Sequence, residues 1–308
     1  HDEVKGRHQM SDGRLATTRA TRVDPESGIR EEVEFLGSGP QRIFSTLHTP
    51  AAPATGVVLL CSSILAELLA GYQEEVWLCR RLARHGIAVR RFHYRGSGHS
   101  DGDSEDVTYE ALCEDAALVA DRLREENETD RIALIGTRMG AIVASTIAAG
   151  MPGAPVSYIQ PVLDFERTFK EISRARTISL MNEEGRSAED GPPEDMFSIM
   201  ARERSADVLG YRFTEGLYQN LRTRKLVDEL GSEPRAVQLI QVAKRKGIAP
   251  EYQRILDELT AKGFETTTEL VNDEIAWWFH DSRRHLIPEI GDAVVPWLTG
   301  RLATEEVR

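Results

Sequence analysis

Arg131-Ile-Ala-Leu-Ile-Gly-Thr-Arg-Met-Gly-Ala-Ile-Val-Ala-Ser-Thr-Ile-Ala-Ala-Gly150 is the stretch whose reading decides the fold. Ile132 to Ile135 is a short apolar run without alternation, as a strand covered on both faces requires. Gly136-Thr-Arg-Met-Gly140 follows, and Met139, Ile142, Val143, Thr146 and Ile147 then recur at helical spacing. Gly150 and Pro152 stop that helix in the usual order. A strand, a Gly-x-x-x-Gly turn and a helix allow close backbone approach at the glycines and present the middle residue on a tight turn. That residue is Arg138, which stays protonated and cannot attack a carbonyl. A chance pair of glycines in an ordinary strand–turn–helix unit is the competing reading.

Upstream, Glu31–Leu36 and Gln41–Leu47 alternate about Gly37-Ser-Gly-Pro40 and predict an edge hairpin. Gly56–Cys61 predicts a buried strand, Gln73–Arg84 a helix closed by Gly86, and Ile87–Phe92 a strand. After the loop Tyr94–Gly102, a helix is expected with Tyr109, Leu112, Ala116, Val119 and Leu123 on one face and Asp106 as its cap. Downstream, Pro155–Pro161 reads as a strand. The pattern then breaks until strand Ala236–Ala243, helix Pro250–Lys262, strand Glu265–Val271 and a last helix Glu289–Leu302. Strands alternating with helices mean parallel βαβ units. The expected organisation is a flexible polar tail over 1–30, an α/β core over 31–165, a helical cap or lid over 166–232, and the rest of the core over 233–308. A merely decorative insertion is the alternative for the third segment.

With 308 residues the chain can bury a full core, and its net charge of -12 argues against nucleic acid or an anionic membrane as partner. No apolar run reaches the ~20 residues of a membrane-spanning helix, and no signal-peptide pattern opens the sequence. Met10 is expected to be the natural start. Three cysteines, Cys61, Cys79 and Cys113, lie in or beside core segments and are read as free thiols of a reducing cytoplasm. No metal-ligand spacing, phosphate-loop ending or dinucleotide fingerprint is present, so no metal or cofactor is expected.

Leu60-Cys-Ser-Ser-Ile-Leu-Ala-Glu67, Arg91-Phe-His-Tyr-Arg-Gly-Ser-Gly-His-Ser-Asp-Gly102 and Ile135-Gly-Thr-Arg-Met-Gly-Ala141, taken with the strand order, resemble the α/β-hydrolase superfamily over about residues 31–303. Within it they look like the serine-aminopeptidase-like branch and its exosortase-A-system-associated relatives, which are similar in carrying arginine at the elbow and a glutamate after the first parallel strand. Arg138 and Glu67 match those two positions. The resemblance implies a mostly parallel central sheet flanked by helices with a helical cap insertion.

It also implies where a triad would lie: a nucleophile at the elbow, an acid after a later strand and a histidine after the last one. The acid position after Ala236–Ala243 holds Lys244-Arg-Lys246, so Asp164 after the preceding strand is the candidate acid, against a turn or helix-cap role. His280, in Trp277-Trp-Phe-His-Asp281, is the candidate histidine, against a packed structural role; His285 reads as a surface residue. Ser62 and Ser63 occupy the loop that supplies an oxyanion N–H in similar proteins, and Thr137 and Met139 flank Arg138. These four are the candidate substrate contacts. Cys61 reads as a small core residue, and His93 and Asp101 as loop architecture.

Arg138 at a helix N-terminus favours a carboxylate or phosphate, with Glu67 as its resting partner or as a base facing the substrate. A direct or one-water Arg138–Glu67 contact is therefore expected. The expected partner is a small anionic or acyl-bearing molecule handled by non-serine chemistry in a biosynthetic pathway, with oligomerisation left open. The rivals are a catalytically dead binding protein with Arg138–Glu67 as a plug, and a hydrolase whose water is activated by Glu67 or His280.

Overall fold

A computed structural model describes residues 19–183, 191–273 and 286–303. The strands are β1 (Ala20–Val23), β2 (Arg30–Leu36), β3 (Ile43–Thr49), β4 (Gly56–Cys61), β5 (Ile87–Phe92), β6 (Ile132–Thr137), β7 (Val156–Ile159), β8 (Ser205–Val208), β9 (Tyr211–Thr214), β10 (Ala236–Val242) and β11 (Glu265–Val271). The helices are α1 (Ala66–Arg84), α2 (Tyr109–Asn127), α3 (Gly140–Ala149), α4 (Phe165–Glu183), α5 (Met196–Glu203), α6 (Glu215–Leu221), α7 (Leu226–Glu229), α8 (Pro250–Ala261) and α9 (Pro288–Leu302).

Among the described residues nine strands form one sheet in the order β1-β2-β3-β5-β4-β6-β7-β10-β11. The first three are antiparallel to their neighbours and the remaining six run parallel. Strands β4, β5 and β6 are buried throughout, Arg90 and Arg91 of β5 included, with helices covering both faces of the sheet. Leu78 and Leu82 of α1 pack with Ile290, Val294 and Leu298 of α9 on one face. Leu112 and Val119 of α2, Ile142 and Val143 of α3, and Leu256 and Leu259 of α8 fill the other. The chain steps from β4 outward to β5, then back across to β6. The C-terminal ends of β4 and β6, with Cys61 opposite Gly136, thus form the crevice where parallel sheets bind ligands.

Several expectations need correction. Ala20–Val23, assigned to a polar tail, pairs antiparallel with β2 from Ala20↔Val33 to Val23↔Arg30. Its side chains are all exposed, so no apolar pattern marks it. The insertion between β7 and β10, expected to be helical, also holds the hairpin β8–β9. Helix α1 begins at Ala66, earlier than Gln73, which places Glu67 in its first turn instead of in the preceding loop. Thr108, not Asp106, caps α2, its Oγ1 accepting the Ala111 N–H at 3.1 Å. Asp106 ends a 3-10 turn just before it. Among the described residues no helix is long and apolar enough to cross a membrane.

Candidate active site

The turn after β6 works because of its two glycines. A Cβ on Gly136 would lie 2.5 Å from the Ala141 Cα, and one on Gly140 would fall inside the Cys61 and Ser62 carbonyl oxygens. Helix α3 therefore leaves β6 in backbone contact with the end of β4. Arg138, between them, takes φ +49°, a left-handed conformation disfavoured for a side chain with a Cβ. Backbone bonds hold it there: its N–H donates to Ile159 O at 3.1 Å, and its carbonyl accepts from Ala141 N and Val162 N at 3.2 and 3.3 Å. Leu65 (φ +58°) and Gln160 (φ +46°) are strained in the same sense. Such strain collects where geometry serves a site.

The expected contact between Arg138 and Glu67 is direct. Arg138 Nη2 donates to Glu67 Oε1 at 3.0 Å and Nη1 to Gln160 O at 3.2 Å. Both side chains of the ion pair are more than nine-tenths buried. Ser63 Oγ donates to Glu67 Oε2 at 2.6 Å and accepts the Met139 N–H at 3.3 Å. Arg138, Glu67, Ser63 and Met139 thus close a ring of hydrogen bonds at the N-terminus of α3. The Met139 N–H is thus occupied by the Ser63 hydroxyl. Gln160 anchors the ring to the sheet, donating its N–H to Ile240 O at 2.8 Å and accepting Val242 N–H on Oε1 at 2.6 Å.

The ring forms the floor of a small cleft of about 40 Å³. Leu65, Ala66, Glu67, Arg138 and Met139 line it from the core side. Thr168, Glu171, Ile172 and Ala175 of α4, with Val208 and Leu209 of the β8–β9 hairpin, line it from the insertion.

Ser62 and Thr137 lie beside this ring but turn elsewhere. Each hydroxyl donates to Glu75 at 2.6 Å, Ser62 to Oε2 and Thr137 to Oε1. Glu75 is buried in α1, and the burial pushes its carboxyl above the ordinary range, against the two hydroxyl bonds and the Arg91 charge. It ties together the residues that precede Ser63 and Arg138. Sequence reading missed it, although a carboxylate at spacing i, i+3, i+4 and i+7 with Leu78, Cys79 and Leu82 on a buried stripe was a signal. Because its folded value exceeds the unfolded one, the folded chain retains a proton above about pH 4.5, the ordinary value, and this contribution to stability is lost as pH rises through the folded value. Glu75→Gln is expected to remove that loss, narrowing the difference between urea midpoints measured at pH 5 and pH 8. An unchanged difference would assign the pH dependence to other groups.

Asp164 is not brought into the ring. It is exposed, and its Oδ1 accepts the Arg167 N–H at 2.9 Å in the first turn of α4, so its carboxylate serves as a helix cap. His280 and His285 lie outside the described residues. Cys61 is fully buried and burial pushes its thiol above the ordinary range, which suits a core residue. His93 Nδ1 accepts the His99 N–H at 3.0 Å, and burial with the nearby Arg91 and His99 charges lowers the imidazole to about 4. Asp101 Oδ2 accepts from the Arg42 backbone and side chain. Both stabilise the loop after β5. Among the described residues no three His, Cys, Asp or Glu side chains cluster as metal ligands.

Comparison with known proteins supports the fold. Residues 52–160 match the family described as Serine aminopeptidase, S33. No curated protein matches the sequence. Among solved structures, Est1E from Butyrivibrio proteoclasticus with ferulic acid bound superposes with a TM-score of 0.59 at 15% identity, covering 88% of this chain and 99% of its own. A lipase/esterase from Lactobacillus plantarum gives 0.54 at 12% identity, covering 89% and 99%. At these identities the likeness is one of fold.

Proposed function

The chain has the α/β-hydrolase fold, and on that premise we propose that it binds a small carboxylate- or acyl-bearing molecule at Arg138 and acts on it without a serine nucleophile. The chemistry in reach is proton transfer, with isomerisation, cyclisation or acyl handling built on it. Glu67 is the proposed base, Arg138 the group that holds the ligand oxygen, and His280 the further acid or base. The reading is carried by one observation: the elbow presents a guanidinium, paired at 3.0 Å with a carboxylate, on the floor of a covered cleft. A buried ion pair is an inefficient filler, because desolvating both charges offsets most of their attraction. The segment over residues 166–232 is proposed as the cap, since its α4 and β8–β9 residues form one wall of the cleft. Three free cysteines, two of them buried, support a reducing cytoplasmic setting. A biosynthetic role and self-association belong to the same reading as proposals.

Fluorophosphonate probes are expected to leave the protein unlabelled, and p-nitrophenyl acetate to be turned over near the uncatalysed rate, because no hydroxyl stands at the elbow. Stoichiometric labelling of Ser62 or Ser63 would sink the proposal. A binding or accessory role is the second reading, favoured by the closed ring in which Ser63 satisfies both Glu67 and the Met139 N–H. Metabolite profiling separates the two. A compound that accumulates both in a deletion strain and in one carrying Glu67→Gln indicates turnover. A Glu67→Gln profile matching wild type indicates binding alone.

A further inference from the structure

Arg91, on β5, is a guanidinium only 7% exposed, and its hydrogen bonds go to neutral groups. Its Nε donates to His48 Nε2 at 3.4 Å and its Nη2 to Tyr72 Oη at 3.0 Å. The guanidinium lies over the Tyr72 ring, 4.6 Å from its centre. Burial lowers the His48 imidazole below its ordinary range, so that partner carries no charge. The acids nearby are engaged elsewhere. Glu31, 3.2 Å from His48 Nδ1, pairs with Arg80 at 2.6 Å. Glu75 holds the Ser62 and Thr137 hydroxyls, and burial keeps its carboxyl toward the neutral form. Buried charges are ordinarily paired, because desolvation is costly without a counter-charge. Among the described residues Arg91 has no ion-pair partner.

Two more buried polar groups flank Arg91 on the same face of the sheet. Thr46 of β3 is its direct cross-strand partner, and opposed residues share a face. His93 follows Arg91 by two residues, and its N–H donates to Phe44 O at 2.9 Å, extending the β3–β5 ladder. Its ring packs on Phe44 and on Tyr72 of α1, with centres 5.2 and 5.8 Å away. Thr46 and His93 are each 3% exposed. Among the described residues neither Thr46 Oγ1 nor His93 Nε2 has a hydrogen-bond partner. His93 Nδ1 accepts the His99 N–H, so the ring proton sits on Nε2 and makes it a donor. A cation, an N–H and a hydroxyl thus neighbour one another beneath α1. Buried groups of this kind call for a partner.

We propose that this patch is an anion site, taking a compact monovalent ion such as chloride or formate beside Arg91, His93 and Thr46. All three groups can donate, and their burial excludes a bulky ligand. The site is separate from Arg138, since β4 lies between β5 and β6, and it does not rest on the reading of that residue. Arg91's charge reaches Glu75, which ties Ser62 to Thr137, so an ion that offsets this charge is felt at the elbow.

Urea unfolding of the full chain at neutral pH and fixed ionic strength tests the site. Gluconate, too bulky to reach groups this buried, is replaced stepwise by chloride or, separately, by formate. An ion held by the folded chain alone lowers the unfolding constant about tenfold per tenfold rise in its concentration once the site is filled. The native chain is expected to show that dependence. A response to either ion alone supports the site and assigns it to the halide or the carboxylate. Thr46→Val keeps the shape and should raise the half-saturating concentration about fivefold. Arg91→Met should remove the dependence. His93→Asp sets a carboxylate beside Arg91 and should remove it too, with stability in gluconate no lower than native. Arg138→Ala should keep the chloride dependence.

Equal urea midpoints in gluconate, chloride and formate would overturn the proposal. So would a dependence that survives in Arg91→Met. Should that variant fail to fold, Thr46→Val and His93→Asp carry the comparison, and native behaviour in both would overturn the site. A chloride dependence lost in Arg138→Ala and kept in His93→Asp would place the ion at the elbow instead.

Discussion

Arg138→Ala is expected to lower the stability of the fold by about 3–5 kcal/mol, because it leaves a buried carboxylate without its cation. Glu67 would keep the Ser63 hydroxyl on one oxygen and lose its only charged contact among the described residues. The Gln160 carbonyl would lose a donor as well. Carboxylate binding should fall by about 2–5 kcal/mol in the same variant, as one partner of a desolvated charge pair is removed. Arg138→Lys should restore little of either. The guanidinium reaches Glu67 and Gln160 from two nitrogens at once, and one ammonium cannot reproduce that fork. Arg138→Ser should not create an esterase, since the position after β10 where an acid would stand holds Lys244-Arg-Lys246.

The double variant Arg138→Met/Glu67→Met separates structure from function. Removing both charges together leaves no orphan, so stability should return close to that of the native chain while carboxylate binding stays lost. Urea unfolding and calorimetry on the native chain and the four variants provide the measurements. Full carboxylate binding by Arg138→Ala, or by the double variant, would end the anion-site reading.

Gly140→Ala should be worse for the fold than any of these. A methyl group there meets the carbonyl oxygens of Cys61 and Ser62, which are strand-end backbone and cannot rotate away as a side chain would. Relief would require α3 to move off the end of β4, tearing apart the contact that places Arg138. A loss of about 4 kcal/mol or more is expected, the range reserved for disrupted cores, read as failure to accumulate soluble protein or as a collapse of the urea midpoint. Gly300→Ala is the matched control. Gly300 lies within α9 and does not use a positive φ, and a methyl group added there would meet nothing within 4 Å. Alanine there should stabilise by about 0.5–1 kcal/mol through helix propensity. A soluble Gly140→Ala protein of native stability would show that the backbone approach at the elbow is looser than described.

Residues 131–150 were legible because three local signals agreed: an apolar run without alternation, two glycines at the spacing of a tight turn, and helical periodicity after them. The Arg138–Glu67 contact was reachable from the resemblance, which paired those two positions before any distance was known. What stayed hidden depends on partners distant in sequence. The strand Ala20–Val23 exists only by pairing with β2, and the short β8–β9 hairpin has four residues in each arm. Asp164 carried two equally good local readings, and only its bond to the Arg167 N–H decides for the cap. Glu75 looked like one more acid on a charged helix until the fold placed Ser62 and Thr137 on either oxygen.

The elbow has a consequence for how such a protein can change. The bonds that hold residue 138 in its conformation all run through backbone atoms, to Ile159, Ala141 and Val162, so none of them depends on the side chain mounted there. The scaffold fixes a direction and a depth, and leaves the chemical identity at that point free. The turn therefore accepts another side chain at that point without rebuilding the sheet, provided Glu67 is changed with it, whereas either flanking glycine admits no exchange. The side chain and its partner can change together, and the turn that holds them is the part that cannot drift.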